Sequence, residues 1–243
     1  WIDTTLNFLE KYWQMPLPPY VEYAPEKEKW YQPIFAQKEG SVASPTASLH
    51  FTQRLLNELT MKWIQQEKVV LHVGLGTFKN IYEEDIRNFD MHVEMAEIQK
   101  DIFEKIAQYK ANWKTILAVG TTVTRTLESL PFLWPLIRES FVWSEECEKF
   151  WSQHEKANLP SSWATAKDPE NLDNVSSLDS SSPLRDSEWR KTPLYQQDKS
   201  QSVIQSFSIS GNTISFESKI FIYPGFEIKI IDELITNFHL PKS

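Results

Sequence analysis

The sequence predicts a mixed α/β fold, and three features predict it. Residues 69–78 (Val-Val-Leu-His-Val-Gly-Leu-Gly-Thr-Phe) and 91–98 (Met-His-Val-Glu-Met-Ala-Glu-Ile) alternate β-branched and large apolar side chains against the rest, the period of a strand. Helical stripes flank them: Phe51, Leu55, Leu59 and Trp63 before the first stretch, and Ile102, Phe103, Ile106 and Tyr109 after the second. Residues 113–119 are mostly apolar, the pattern of a strand covered on both faces, and Gly120-Thr121-Thr122 turns that strand into a helix through Arg125, Glu128 and Leu130. Strands alternating with helices imply an α/β domain with a mixed sheet and flanking helices.

Taken in order, Ile2, Leu6, Leu9, Tyr12 and Trp13 recur at helical spacing, with Asp3-Thr4-Thr5 as the start. Residues 15–20 (Met-Pro-Leu-Pro-Pro-Tyr) are extended, because each Pro biases its predecessor away from helix. A short solvated helix fits 25–30, a loop of small residues 40–48, and a helix from Phe51 to near Gln66. A second helix covers 100–111. Residues 219–223 and 226–231 read as two further strands around Pro224-Gly225.

Between Leu130 and Ser218 the character changes. Residues 131–151 are aromatic and predicted helical after Pro135, whereas 160–202 are rich in Ser, Asp, Asn and Pro with little periodicity. The chain therefore divides into a main α/β domain over 1–130, a partly mobile surface insertion over 131–218, and the main domain continued over 219–243.

Composition narrows the function classes. With 41% apolar residues, 13% aromatic residues and ten Trp, the chain has ample material for a core. A formal net charge of −8 argues against binding nucleic acid by bulk charge alone, although much of that acid falls in 131–218 and leaves room for a local basic groove. The lone Cys147 rules out an internal disulfide framework and suits a reducing, cytoplasmic setting. No run approaches the roughly 18 apolar residues that span a bilayer. The first residue is Trp1 and the last apolar segment stops abruptly, the pattern of a piece of a longer protein.

Chemistry-bearing residues gather around the two central strands. Side chains i and i+2 share a strand face, so His92 and Glu94 project together, opposite Met91, Val93 and Met95. His72 is expected on one face with Gly74 and Gly76, which have no side chain to block a ligand. The strand–glycine–Thr helix start at 120–122 points backbone N–H groups at any anion placed there. Each feature also has a plain structural reading. His72 can be a hydrogen-bonded core histidine, Gly74 and Gly76 can mark a bulge, and Arg125 and Glu128 can pair three residues apart on a helix. The glycines are not a dinucleotide fingerprint, because the third glycine is missing.

Several blocks in order resemble one family. Residues 45–51 (Pro-Thr-Ala-Ser-Leu-His-Phe) are similar to its P-T-A-G-L-H-F, and 71–78 to its L-H-V-G-A-G-T-F. Residues 91–94 follow M-H-x-E, and 118–129 follow A-V-G-T-T-S-V-R-x-L-E-S. Phe221-Ile222-Tyr223-Pro224-Gly225-Phe226, Thr236-Asn237-Phe238-His239-Leu240-Pro241 and the Met-Pro-Leu-Pro-Pro-Tyr stretch complete the match. The chain thus resembles the S-adenosylmethionine:tRNA ribosyltransferase-isomerases of queuosine biosynthesis. It departs from them at Phe89, where a His is usual, at Asn80, where a Pro is usual, and in the length of 131–218.

The resemblance implies an incomplete main domain of the ribosyltransferase-isomerase fold. It implies transfer and isomerisation of the ribosyl part of S-adenosylmethionine onto 7-aminomethyl-7-deazaguanine at the tRNA wobble position, giving epoxyqueuosine and releasing adenine and methionine. The expected partners are S-adenosylmethionine, as co-substrate, and tRNA with a GUN anticodon. Neither a metal nor a membrane is expected, and the chain is expected to be a cytoplasmic monomer.

His92 and Glu94 are the expected acid/base pair, with His50, His72 and His239 as further proton-handling residues whose roles stay unranked. Gly74, Gly76, Thr77, Thr121, Thr122, Arg125, Glu128, Tyr223 and Asn237 are the expected substrate-binding set, with Gly120-Thr121-Thr122 and Arg125 on the methionine carboxylate or a tRNA phosphate. Two other classes remain open: a metal-dependent hydrolase drawing on His50, His72, His92 and Glu94, and a non-catalytic RNA-binding fragment.

Overall fold

A computed structural model gives the fold and describes residues 17, 22, 24, 26, 30–38, 41, 43–78, 82–86, 89–156 and 202–237. The expected helix near the N-terminus, His239, and most of 160–202 lie outside these residues.

Four α-helices and six strands are present among the described residues. Helix α1 (Gln53–Met61) leads to β1 (Val70–His72), and β2 (Glu94–Gln99) runs into α2 (Lys100–Ala111). Strand β3 (Leu117–Val119) feeds α3 (Thr121–Ile137), and α4 (Glu145–His154) follows. The hairpin β4 (Ile204–Ser210) and β5 (Thr213–Ser218) and the short β6 (Glu233–Ile235) complete the set. An antiparallel sheet has the order β1-β2-β5-β4, while β3 and β6 form a separate parallel pair. The fold is mixed α/β, as predicted.

Alternation along β2 decides which face becomes core. Glu94, Ala96 and Ile98 are buried, and their partners Ser218, Phe216 and Ile214 on β5 are buried with them. Against this face pack Ile102, Phe103, Ile106 and Ala107 of α2 and Leu127, Leu130, Leu133, Trp134 and Ile137 of α3. The densest part is aromatic: Phe103, Trp134, Trp143 and Trp151 lie with ring centroids 5.0–6.2 Å apart. Such pairs add about 0.5–1.5 kcal/mol each beyond the area they bury. The Trp151 indole N–H donates to the Phe103 carbonyl at 3.1 Å, so its one polar atom is satisfied inside the core.

Here the structure corrects the surface-insertion reading at both ends of 131–218. Residues 131–137 continue α3, and Trp134, Ile137, Cys147 and Trp151 are essentially fully buried. Pro131 and Pro135 sit inside the helix. Pro135 lacks the N–H that would bond the Pro131 carbonyl, and the Lys156 N–H takes that acceptor instead, at 2.8 Å. At the other end, Ile204–Ser218 is the β4–β5 hairpin, half of the main sheet. Its turn opens on Gly211 at φ +59, the positive φ that a two-residue hairpin loop requires at that position.

Other elements also shift. The expected strands 219–223 and 226–231 do not form: neither segment joins a ladder, and N–H groups in them go to isolated acceptors, such as the Val203 carbonyl for Lys219. The first central stretch is a strand only over Val70–His72 and then tightens into a 3-10 turn, Leu75–Phe78. Helices α1 and α2 stop at left-handed residues, Trp63 (φ 61) and Trp113 (φ 54). In each, the next residue's N–H returns to the carbonyl five positions back: Ile64 to Leu59, and Lys114 to Tyr109. That closure ends α1 earlier than Gln66 and leaves Trp113 exposed rather than inside a strand.

Candidate active site

The site is built where β2 begins beside α3. Glu94 is the first residue of β2, on the core-facing side, and His92 stands two residues before it. The His92 Nε2 lies 3.0 Å from Glu94 Oε1, and the Thr77 hydroxyl reaches the same oxygen at 3.4 Å. The other oxygen, Oε2, is 2.9 Å from Arg125 Nη1. Arg125, on the second turn of α3, is buried and held on three sides. Its Nε donates to the Ile220 carbonyl at 3.1 Å, its Nη2 to the His92 carbonyl at 3.0 Å, and its Nη1 also lies 3.2 Å from His92 Nε2.

These contacts set the charges. Burial alone would raise the Glu94 carboxyl, but the His92 hydrogen bond, the Arg125 charge and the Thr77 bond outweigh it, so Glu94 is held below the ordinary carboxylate value. Burial lowers the Arg125 guanidinium, and the Glu94 charge opposes that shift. An anionic carboxylate beside a buried cation and an imidazole has the residue types for moving a proton.

Gly76 closes the site from the 3-10 turn. A Cβ there would stand 2.5 Å from both Cβ and Cγ of His92, far inside contact distance, so only glycine admits the ring at this position. Gly74, by contrast, has open space where its Cβ would be.

The structure divides the remaining expected residues. His72 is not on the His92–Glu94 side. It pairs with Glu97 at 3.1 Å, and Glu97, three residues beyond Glu94, lies on the opposite face of β2, where Lys38 also binds it. The expected shared face of His72, Gly74 and Gly76 is lost because the chain leaves strand geometry after His72. His50 forms a second group: its Nε2 meets Asn237 Oδ1 at 3.1 Å, just beyond β6. The last β6 residue, Ile235, accepts the Gly120 N–H at 2.8 Å, which brings the chain two residues before Asn237 to the start of α3. Gly120 takes φ +103 to make this turn, and no side chain caps the helix start. From there to Arg125 is roughly 6–8 Å along the helix axis.

Two expected substrate ligands face inward instead. Both nearer ends of Arg125 are occupied as described. Glu128 is also fully buried, and its carboxylate accepts the backbone N–H groups of Lys229, Ile230 and Ile231 at 2.8–3.0 Å. It fastens the 229–231 segment and pairs with no cation on its own helix turn. Tyr223 is half-buried, its ring 5.2 Å from Phe221, which in turn lies 5.4 Å from Phe89. Cys147 is a buried core thiol, pushed up to about 12 by burial and then by the Glu104 charge.

The hydrolase ligand set does not assemble, since His72 and His92 point to opposite faces. Among the described residues no three His, Cys, Asp or Glu side chains converge as a metal site. No described helix is long and apolar enough to cross a membrane. Sequence reasoning missed the Glu97 partner of His72 and the Ile220 carbonyl that holds Arg125. The latter left no signal, because a backbone acceptor carries no side-chain signature.

Fold and site together define a mixed α/β chain with a buried Glu–Arg pair and a half-buried His set against a glycine turn. The family described as queuosine biosynthesis protein matches residues 2–157 and 198–243, and this chain belongs to it. Similar proteins named S-adenosylmethionine:tRNA ribosyltransferase-isomerase occur in Sulfurihydrogenibium sp. (strain YO3AOP1), 37% identical over 97% of this chain, and in Halothermothrix orenii, 34% identical over 97%. One from Clostridium kluyveri is 30% identical over 98% of the chain. The chain covers 47–48% of these relatives, about half their length.

Proposed function

We propose that this chain carries the proton-transfer centre of an S-adenosylmethionine:tRNA ribosyltransferase-isomerase. The reaction moves the ribosyl part of S-adenosylmethionine onto 7-aminomethyl-7-deazaguanine at the wobble position of a GUN tRNA, rearranges the sugar to the epoxycyclopentane of epoxyqueuosine, and releases adenine and methionine. The observation that carries this reading is the half-buried His92 paired with the buried Glu94 and backed by Arg125, with each member in a sequence block that the family shares.

The chemistry needs a base for the C–H acidified by the neighbouring sulfonium, an acid to help adenine leave, and an acceptor for the proton of the attacking amine. An imidazole can serve such steps near neutral pH. His92 and Glu94 take the central acid/base work. Thr77 holds Glu94, while Gly76 makes room for His92. The start of α3, with Thr121, Thr122, His50 and Asn237 around it, offers backbone N–H groups and the positive end of a 17-residue helix to the methionine carboxylate or a phosphate. His239 remains a proposed participant from the sequence blocks alone.

Calorimetric titration of the chain with S-adenosylmethionine tests the reading. Saturable binding is expected. No binding, with RNA still bound, would favour the non-catalytic RNA-binding alternative.

A further inference from the structure

We infer that Phe89 and Phe221, with Tyr223 beyond them, form an aromatic wall beside His92 that takes the adenine ring of S-adenosylmethionine. The identity of the ligand rests on the proposed reaction; the wall rests on the structure.

Arg125 fixes where the wall stands. Its Nε and Nη2 hydrogens lie side by side on one edge of the planar guanidinium. One meets the Ile220 carbonyl at 3.1 Å and the other the His92 carbonyl at 3.0 Å, so the two carbonyls are neighbours. Two more ties join the same segments. Lys219 Nζ lies 2.5 Å from an Asp90 oxygen, and the Phe89 and Phe221 ring centroids are 5.4 Å apart. Residues 89–92 and 219–221 therefore run alongside each other. Phe221 directly follows the residue whose carbonyl shares the fork with that of His92.

Burial decides which way the rings face. Ile220 is fully buried and Ile222 packs against the core, whereas Phe89 and Phe221 neither belong to the core nor pack against it. Phe221 and Tyr223 alternate with those inward residues, and their ring centroids are 5.2 Å apart. The result is a row of three half-buried rings, each partly open, at the edge of a site whose other members are polar or charged. Such rings gain from being covered by another flat apolar surface.

The proposed substrate carries one part that suits them. Its methionine end and its sulfonium are charged, while adenine is flat and neutral and stacks on aromatic faces. The base is bonded to the same sugar on which His92 and Glu94 act, so it reaches the site together with the reacting carbon. Phe89 sharpens the match: it stands where a His is usual in the family, which puts a wholly apolar ring at the end of the row.

Isotope-filtered NOE spectra of the chain with labelled Phe rings, recorded with S-adenosylmethionine, test the contact. Cross-peaks from the adenine ring protons are expected. Phe89→Leu and Phe221→Leu keep apolar bulk but remove the flat face, and each should delete some of those peaks. Each should also weaken S-adenosylmethionine binding by about tenfold, within the range that a base stacked on an aromatic side chain contributes. Affinity for S-methylmethionine, a sulfonium without a base, should stay unchanged; equal losses for both ligands would reduce the wall to a structural role and overturn the inference. Saturable binding with no adenine–Phe cross-peaks, or with cross-peaks that survive in both variants, overturns it while the proposed function stands. A chain that binds no S-adenosylmethionine ends both. Should one variant not fold, the other and the unsubstituted chain decide.

Discussion

Gly76 and His92 occupy space that a single methyl group would contest: a Cβ on Gly76 would fall 2.5 Å from the His92 Cβ. The clash is with the root of the side chain, so no rotation about His92 torsions relieves it. Gly76→Ala is therefore expected to displace the ring from Glu94 and to destabilise the chain by about 1–3 kcal/mol, the range for overpacking. Gly74→Ala meets nothing within 4 Å and should change stability by less than about 0.5 kcal/mol. Urea unfolding of both variants checks this, and equal losses would contradict it.

Glu94 couples stability to pH with a definite sign. Its folded carboxyl titrates below the ordinary value of 4.5, so the unfolded chain binds the proton more readily. The stabilisation from the ionised Glu94 is complete above 4.5 and is lost as pH falls through the lower folded value. Unfolding free energies of the parent and Glu94→Gln should thus differ by a constant amount above that pH and converge below it. A difference that widens on acidification would contradict the assignment.

Glu128 predicts a large loss unconnected with substrate. Three backbone N–H groups, from Lys229, Ile230 and Ile231, end on its buried oxygens. Glu128→Ala strands all three and should cost on the order of 3 kcal/mol or more, at 1–3 kcal/mol per buried unsatisfied group. Hydrogen exchange should show those three amides losing protection first. Unchanged protection at 229–231 would count against this role.

Trp113 predicts a gain. It is 95% exposed and sits at φ 54, so its backbone conformation carries a steric cost that no side-chain burial offsets. Trp113→Gly should raise stability by up to about 1 kcal/mol, read as a shift in the urea midpoint. Destabilisation would show that the indole makes contacts that offset the strain.

Much of this site can be read in the sequence, and its limits have physical causes. The pairing of His92 with Glu94 follows from i, i+2 spacing and holds although His92 stands just before the strand. The helix over Lys100–Ala111 and the glycine start of α3 follow from periodicity and turn chemistry. The neighbours that strand alternation predicts for His72 are not the ones it has, because the 3-10 turn over Leu75–Phe78 breaks that alternation. The β4–β5 hairpin was legible as Phe-Ser-Ile-Ser-Gly-Asn-Thr-Ile-Ser-Phe, alternating residues about a Gly-Asn turn, but the low-complexity stretch before it hid the change. The partners of Glu128 lie about a hundred residues away and are backbone groups, so no local pattern announces them.

Release of free adenine from S-adenosylmethionine, in the presence of tRNA bearing 7-aminomethyl-7-deazaguanine, measures the proposed proton transfer most directly. The protein is expected to release adenine, and His92→Ala to lower the rate by about 10²–10⁴-fold, the usual worth of a positioned acid or base. Adenine release by His92→Ala at the parental rate would contradict it.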